Sequence, residues 1–135
     1  MRGFLFLLFL LPVVVFSQNQ ITLDVHDVPS SKGKISVAVY NTKEGFLKFD
    51  KVYKCDSIVA QKGITHIAIE DLPEGEYALA IFHDENGNNK LDTNWLGIPK
   101  EKVAFSNAKM RTFGPPAFKD CAFKLDKDTK INVSL

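Results

Sequence analysis

Glu76 to Asp92 reads E-Y-A-L-A-I-F-H-D-E-N-G-N-N-K-L-D, and the change of character at His83 decides how the chain is read. From Glu76 to Phe82 both alternating sets are apolar: Leu79 and Ile81 on one side, Ala78, Ala80 and Phe82 on the other. That pattern suits a central strand covered on both faces. From Asp84 onward side-chain oxygens recur at Asp84, Asn86, Asn88 and Asp92, a loop and not a strand.

Working outward, the same period of two returns. Ile21, Leu23 and Val25 alternate with Thr22, Asp24 and His26, and Ile35, Val37 and Val39 alternate with Ser36 and Ala38. Pro29 to Gly33 between them reads as the turn of a hairpin with a loop of five residues. Asn41 to Phe49 lacks alternation and reads as a loop or one helical turn, and Val52 to Ala60 as a third strand or an irregular edge. Ile64 to Ile69 is a strand with Thr65, Ile67 and Ile69 on one side. Asp71-Leu72-Pro73-Glu74-Gly75 is a turn, with Pro setting φ and Gly accepting positive φ. Lys119 to Leu125 and Lys130 to Leu135 read as a last pair of strands around Asp126-Lys127-Asp128.

About seven short strands and no helical period predict an all-β, antiparallel β-sandwich of transthyretin- or immunoglobulin-like kind, with a small barrel as the alternative. A long ordered loop lies between the late strands. The 135 residues, 45% apolar, suffice for one domain with a core. Residues 1–17 have the layout of a secretory signal peptide: Arg2, an apolar run from Phe4 to Phe16, then Val15-Phe16-Ser17. The run is shorter than the roughly 20 residues that span a bilayer. The expected domains are therefore 1–17 as signal peptide and 18–135 as a single sandwich, exported to the periplasm or secreted, with no membrane span after cleavage. Loss of Arg2 takes the formal charge from +1 to zero, which leaves no basic field for nucleic acid.

Alternating Asp and Asn in a turn can converge hard oxygens on calcium. The expected ligands are Asp84, Asn86, Asn88, the Lys90 carbonyl and Asp92. The spacing follows the start of a helical calcium loop, but Asn89 stands at the glycine position, Trp95 stands where a bidentate Glu belongs, and no helices flank it. The alternative is a metal-free turn in which Asn and Asp serve local backbone groups and Gly87 supplies positive φ. His83 reads as a packed, hydrogen-bonded histidine or as a ligand contact. A zinc site would need His26, His66 and His83 to converge.

Further along, Trp95, Glu101, Phe105, Ser106, Asn107, Phe113 and Phe118 are candidates to line a ligand groove, since long ordered loops tend to be functional. The alternative has Phe105, Phe113 and Phe118 plugging the end of the sandwich, with Trp95 anchoring the loop. In an oxidising compartment Cys55 and Cys121 either pair or stay as two thiols, one buried.

Leu72-Pro-x-Gly-x-Tyr-Ala, His83-Asp-x-Asn-x-Asn, Leu91-Asp, Gly97-Ile-Pro-Lys-Glu, Phe105-Ser-Asn and Phe113-Gly-Pro-Pro-x-Phe together resemble the signature of the exported bacterial family called domain of unknown function 2141. The resemblance covers roughly Ile21 to Leu135. It implies a small exported bacterial protein, brings no established activity, and suggests that the signature forms one connected surface.

Two functions are open. With no G-x-S-x-G, no H-E-x-x-H and no cysteine beside a base, the first is a non-enzymatic exported module. Such a module would bind a glycan, a peptide or a cell-envelope component through the 84–118 loop, stabilised by calcium. The second is a small exported hydrolase using His83 with Asp84 and Glu101.

Overall fold

The computed structural model describes residues 12–13 and 18–135. The expected signal peptide falls almost wholly outside the described residues. Among them no helix is long and apolar enough to cross a membrane.

Among the described residues, eight strands form two packed sheets. They are β1 (Gln18–Val28), β2 (Lys34–Tyr40), β3 (Lys54–Val59), β4 (Gly63–Pro73), β5 (Gly75–Asp84), β6 (Val103–Phe105), β7 (Phe123–Leu125) and β8 (Thr129–Ser134). One sheet runs β4-β1-β8 and the other β3-β2-β5-β6, with β7 paired to the start of β5. The all-β sandwich follows the alternation. Ile21, Leu23 and Val25 of β1 are fully buried against Ile35 and Val39 of β2 and Leu79 of β5. Burying each such side chain contributes about 1.5–3 kcal/mol.

Strand neighbours differ from expectation in two places. β1 and β2 do not form a hairpin, because Pro29–Gly33 is a corner that carries the chain from one sheet to the other. β7 and β8 do not pair with each other: β8 lies beside β1 and runs parallel to it, Leu23 opposite Ile131 and Val25 opposite Val133. The sandwich is thus not wholly antiparallel. The corner before β8 is pinned where the Gln20 N–H donates to Asp128 Oδ1 at 2.9 Å. Alternation states which face a strand buries, not which strand lies beside it, so both corners looked like hairpin turns.

Local corrections follow. Lys119 to Leu125 is not one strand but a helical turn, α1 (Phe118–Cys121), and then β7. At the β4–β5 corner positive φ sits on Asp71, at 60°, and not on Gly75. The corner is tied by the Tyr77 hydroxyl donating to Pro73 O at 2.7 Å. The long connection also contains β6, whose three residues add a strand beside β5.

The expectation of a central strand covered on both faces holds for β5. Its outer side carries Ala78, which joins a second cluster with Tyr40, Phe105, Phe118 and Cys121. Phe46 packs edge-on to Tyr40 and to Phe118, with ring centroids 5.3 and 5.7 Å apart. This cover reaches only part of the face.

Candidate functional site: an acidic loop beside an apolar groove

At the margin of the second cluster, the outer face of the five-stranded sheet is only half-buried. Ser36 and Ala38 of β2, Ala80 and Phe82 of β5, and Val103 of β6 floor a groove of about 1110 Å³. The small residues of β2 and β5 keep the floor low, and the 89–115 connection forms its far wall. Leu96, Ile98 and Phe113 stand on that wall, and each is more than half exposed. Charged groups on its lining are few: Asp56, Glu101 and Arg111. Phe113 is the one expected aromatic that is both solvent-facing and part of the groove. Trp95 is 91% exposed and anchors nothing, while its neighbours Leu96 to Pro99 line the groove.

Several expected ligand contacts are structural instead. Ser106 is fully buried; its hydroxyl accepts from the Leu79 N–H at 2.9 Å and donates to Cys121 O at 2.7 Å. Asn107 takes positive φ, and its amide donates to Ala122 O at 3.3 Å. Phe118 is buried in the second cluster, as is Phe105, whose edge also reaches the groove. Phe105 and Phe118 therefore plug the outer face of one sheet, not the end of the sandwich. Cys55 and Cys121 are free thiols, the first exposed on β3 and the second buried; no disulfide joins them. Burial first, then the Asp120 charge, pushes the Cys121 thiol up to about 11.

His83 points into the sandwich and Asp84 outward, as successive residues of a strand must. His83 is buried, its Nε2 2.7 Å from Lys32 O, and its Nδ1 lies 3.6 Å from Glu85 Oε1, beyond hydrogen-bond distance. It does not face the groove, and the His83, Asp84, Glu101 grouping required for the hydrolase does not assemble on one face. Nor do the three histidines converge: His66 pairs with Asp24 at 2.5 Å and His26 lies 3.0 Å from Asn132, both on the outer side of the other sheet.

The acidic loop folds back on itself. Gly87 and Asn89 take positive φ, 67° and 62°. The Asn89 N–H donates to Asp84 Oδ2 at 2.8 Å, and the Lys34 ammonium holds Asn89 Oδ1 at 2.6 Å. The amides of Asn86 and Asn88 donate to the two Asp92 oxygens at 2.6 and 2.9 Å. Those amides, Asn88 foremost, hold the Asp92 carboxyl below the usual carboxylate range. The loop thus brings Asp84, Asn86, Asn88 and Asp92 into one network. Lys90 enters it through its N–H, donated to Asn88 Oδ1 at 2.9 Å.

Glu101 also joins this network: its Oε2 accepts from the Asp92 N–H at 3.3 Å. The Thr93–Pro99 bridge folds the chain so that Glu101 returns beside the acidic turn. Burial pushes its carboxyl up, and the Asp92 and Asp84 charges push it the same way, against the pull of the Asp92 N–H. The groove floor was not foreseen, and Glu101 was grouped with Asp84 only as part of the hydrolase site, not among the loop's oxygens. The signal for the floor was the run of small residues opposite Ile35, Val37 and Val39.

No curated protein and no solved structure matches the chain. The family model for domain of unknown function 2141, described as an uncharacterized protein conserved in bacteria, matches residues 23–132. With most of its length covered, the chain belongs to that bacterial family.

Proposed function

We propose that the chain is an exported, non-enzymatic binding module whose groove takes an acyl-type, apolar component of the cell envelope. The observation that carries this reading is the half-buried apolar floor of the five-stranded sheet, walled by exposed Leu96, Ile98 and Phe113. Its volume of about 1110 Å³ is on the scale of small-molecule sites, which run to about 1,000 Å³. An exposed, contiguous apolar surface of this kind marks an interaction site.

The floor favours hydrocarbon over the other two partner classes. Of the strand residues that line it, Ser36, Ser57 and the buried Tyr40 carry uncharged hydroxyls, too few to satisfy a sugar or a peptide backbone brought out of water. A hydrocarbon chain needs no such partners. Arg111, on the lining and paired with Asp120, offers a cation to an acidic headgroup. Export rests on the layout of residues 1–17.

The test is a fluorescence titration of residues 18–135 with a fluorescent fatty-acyl probe, alongside glycan and peptide arrays. Saturable acyl binding that is lost in Ser36→Trp, which fills the groove from the outer face, supports the reading. Binding confined to a glycan or peptide class, or acyl binding unchanged in Ser36→Trp, overturns it. Fractionation of cells expressing the full chain and a chain lacking residues 2–17 tests export: only the full chain leaves the cytoplasm.

A further inference from the structure

The β5–β6 pairing sets Phe82 opposite Val103, and the His83 N–H donates to Lys102 O at 3.0 Å. One step further along that register, Asp84 stands opposite Glu101, both on the outer side. Like charges directly opposed on neighbouring strands are destabilising. Asp84 is nonetheless fully buried, and its Oδ1 has no hydrogen-bond partner. Its Oδ2 is held by the loop through the Asn89 N–H, so the carboxylate is oriented while one oxygen stays unsatisfied. Leaving a buried, charged acceptor unpaired is costly.

Asp92 is the third carboxylate nearby, joined to Glu101 through its own N–H. Among the described residues no Lys, Arg or His nitrogen forms an ion pair with Asp84, Asp92 or Glu101. Of the neighbouring cations, Lys34 is directed at the Asn89 amide, and Lys100 lines the same pocket as Asp92 and Glu101 without an ion pair to either. What the arrangement lacks is a cation bonded to the carboxylates.

We propose that Asp84, Asp92 and Glu101, with the amide oxygens of Asn86 and Asn88, bind one calcium ion. All five donors are hard oxygens, the set calcium prefers, and its tolerance of irregular geometry suits a loop better than the strict octahedron of magnesium. As they stand among the described residues, no three His, Cys, Asp or Glu side chains are grouped to ligate an ion. Binding therefore draws Asp92 and Glu101 toward Asp84. It also turns over the Asn86 and Asn88 amides, which now present their NH2 groups to Asp92. This set differs from the expected one: Glu101, from beyond the loop, joins it, and the Lys90 carbonyl is not needed. Glu101 also lines the groove, so the ion would fix one wall of it. The ion site does not depend on what the groove binds.

Calorimetric titration and thermal melts of residues 18–135 in EDTA, calcium and magnesium test it. Calcium at a hundred times its Kd raises Tm by roughly 5–10 °C, with magnesium giving a smaller rise. Glu101→Gln reverses sign: it melts above wild type in EDTA, because an opposed charge is gone, and below it in calcium. Its affinity for calcium falls by about tenfold or more. Asp84→Asn removes the calcium shift; should that variant not fold, Glu101→Gln alone decides. Wild-type melts identical in EDTA and calcium overturn the site. So does a calcium shift undiminished in Glu101→Gln, and an equal magnesium shift overturns the choice of ion.

Discussion

Ser106 shows how much a single buried hydroxyl can hold. Its Oγ sits between the Leu79 N–H and Cys121 O, and its own N–H donates to Leu79 O at 3.1 Å, so it joins β5, β6 and α1. Ser106→Ala leaves a donor and an acceptor unpaired in a dry site and costs about 1–3 kcal/mol. Urea denaturation measures this, and a loss under half a kcal/mol would show that the two groups find other partners. From sequence Ser106 read as a polar group for a ligand. Residue type alone does not say which polar group is satisfied inside, and the Leu79 N–H that claims it is 27 residues away.

At the level of elements, the corner between β1 and β2 is where the sandwich and the acidic turn meet. Gly33 has φ +65°, and a Cβ there would lie 2.7 Å from Glu85 O and closer still to Asp84 O. Gly33→Ala must therefore shift the backbone at the start of the acidic loop as well as strain its own. The expected loss is about 1–3 kcal/mol by chemical denaturation, with weaker calcium binding; unchanged values for both would separate the corner from the loop. The two-residue period made every long strand and its buried side legible: the buried sets on β1, β2, β4 and β5 are those the alternation names. Pairing was not legible, because period two is the same for a hairpin and for a crossing between sheets. The three residues of β6 and of β7 are too few to show any period.

For the whole molecule, two lowered carboxylates, Asp24 and Asp92, and one raised, Glu101, pull acid stability in opposite directions. The Asp24 carboxyl is held low, first by the hydrogen bond from His66 and then by Lys130. Its contribution is present above the ordinary aspartate range and is lost as pH falls through its lowered value. Glu101 is raised, so without a cation the folded state holds its proton more tightly than the unfolded one. Stability then falls as pH rises from the ordinary glutamate range through that raised value. In EDTA the melting temperature should therefore peak at mildly acidic pH, and Glu101→Gln should flatten the neutral side of the peak. A wild-type Tm that falls steadily from neutral pH into acid would contradict the balance.

The same molecule divides its surface by chemistry. The outer side of the three-stranded sheet is polar, with Asp24, His66 and Lys130 linked, whereas that of the five-stranded sheet is apolar and half covered. The most direct test is a map of backbone amide shifts in residues 18–135 as a soluble fatty-acyl ligand is added. Changes should gather at Ser36, Ala38, Ala80, Phe82 and Val103 and spare Asp24, His66 and Lys130. Changes centred on the polar sheet, or none at saturating ligand, would contradict the groove as the working surface.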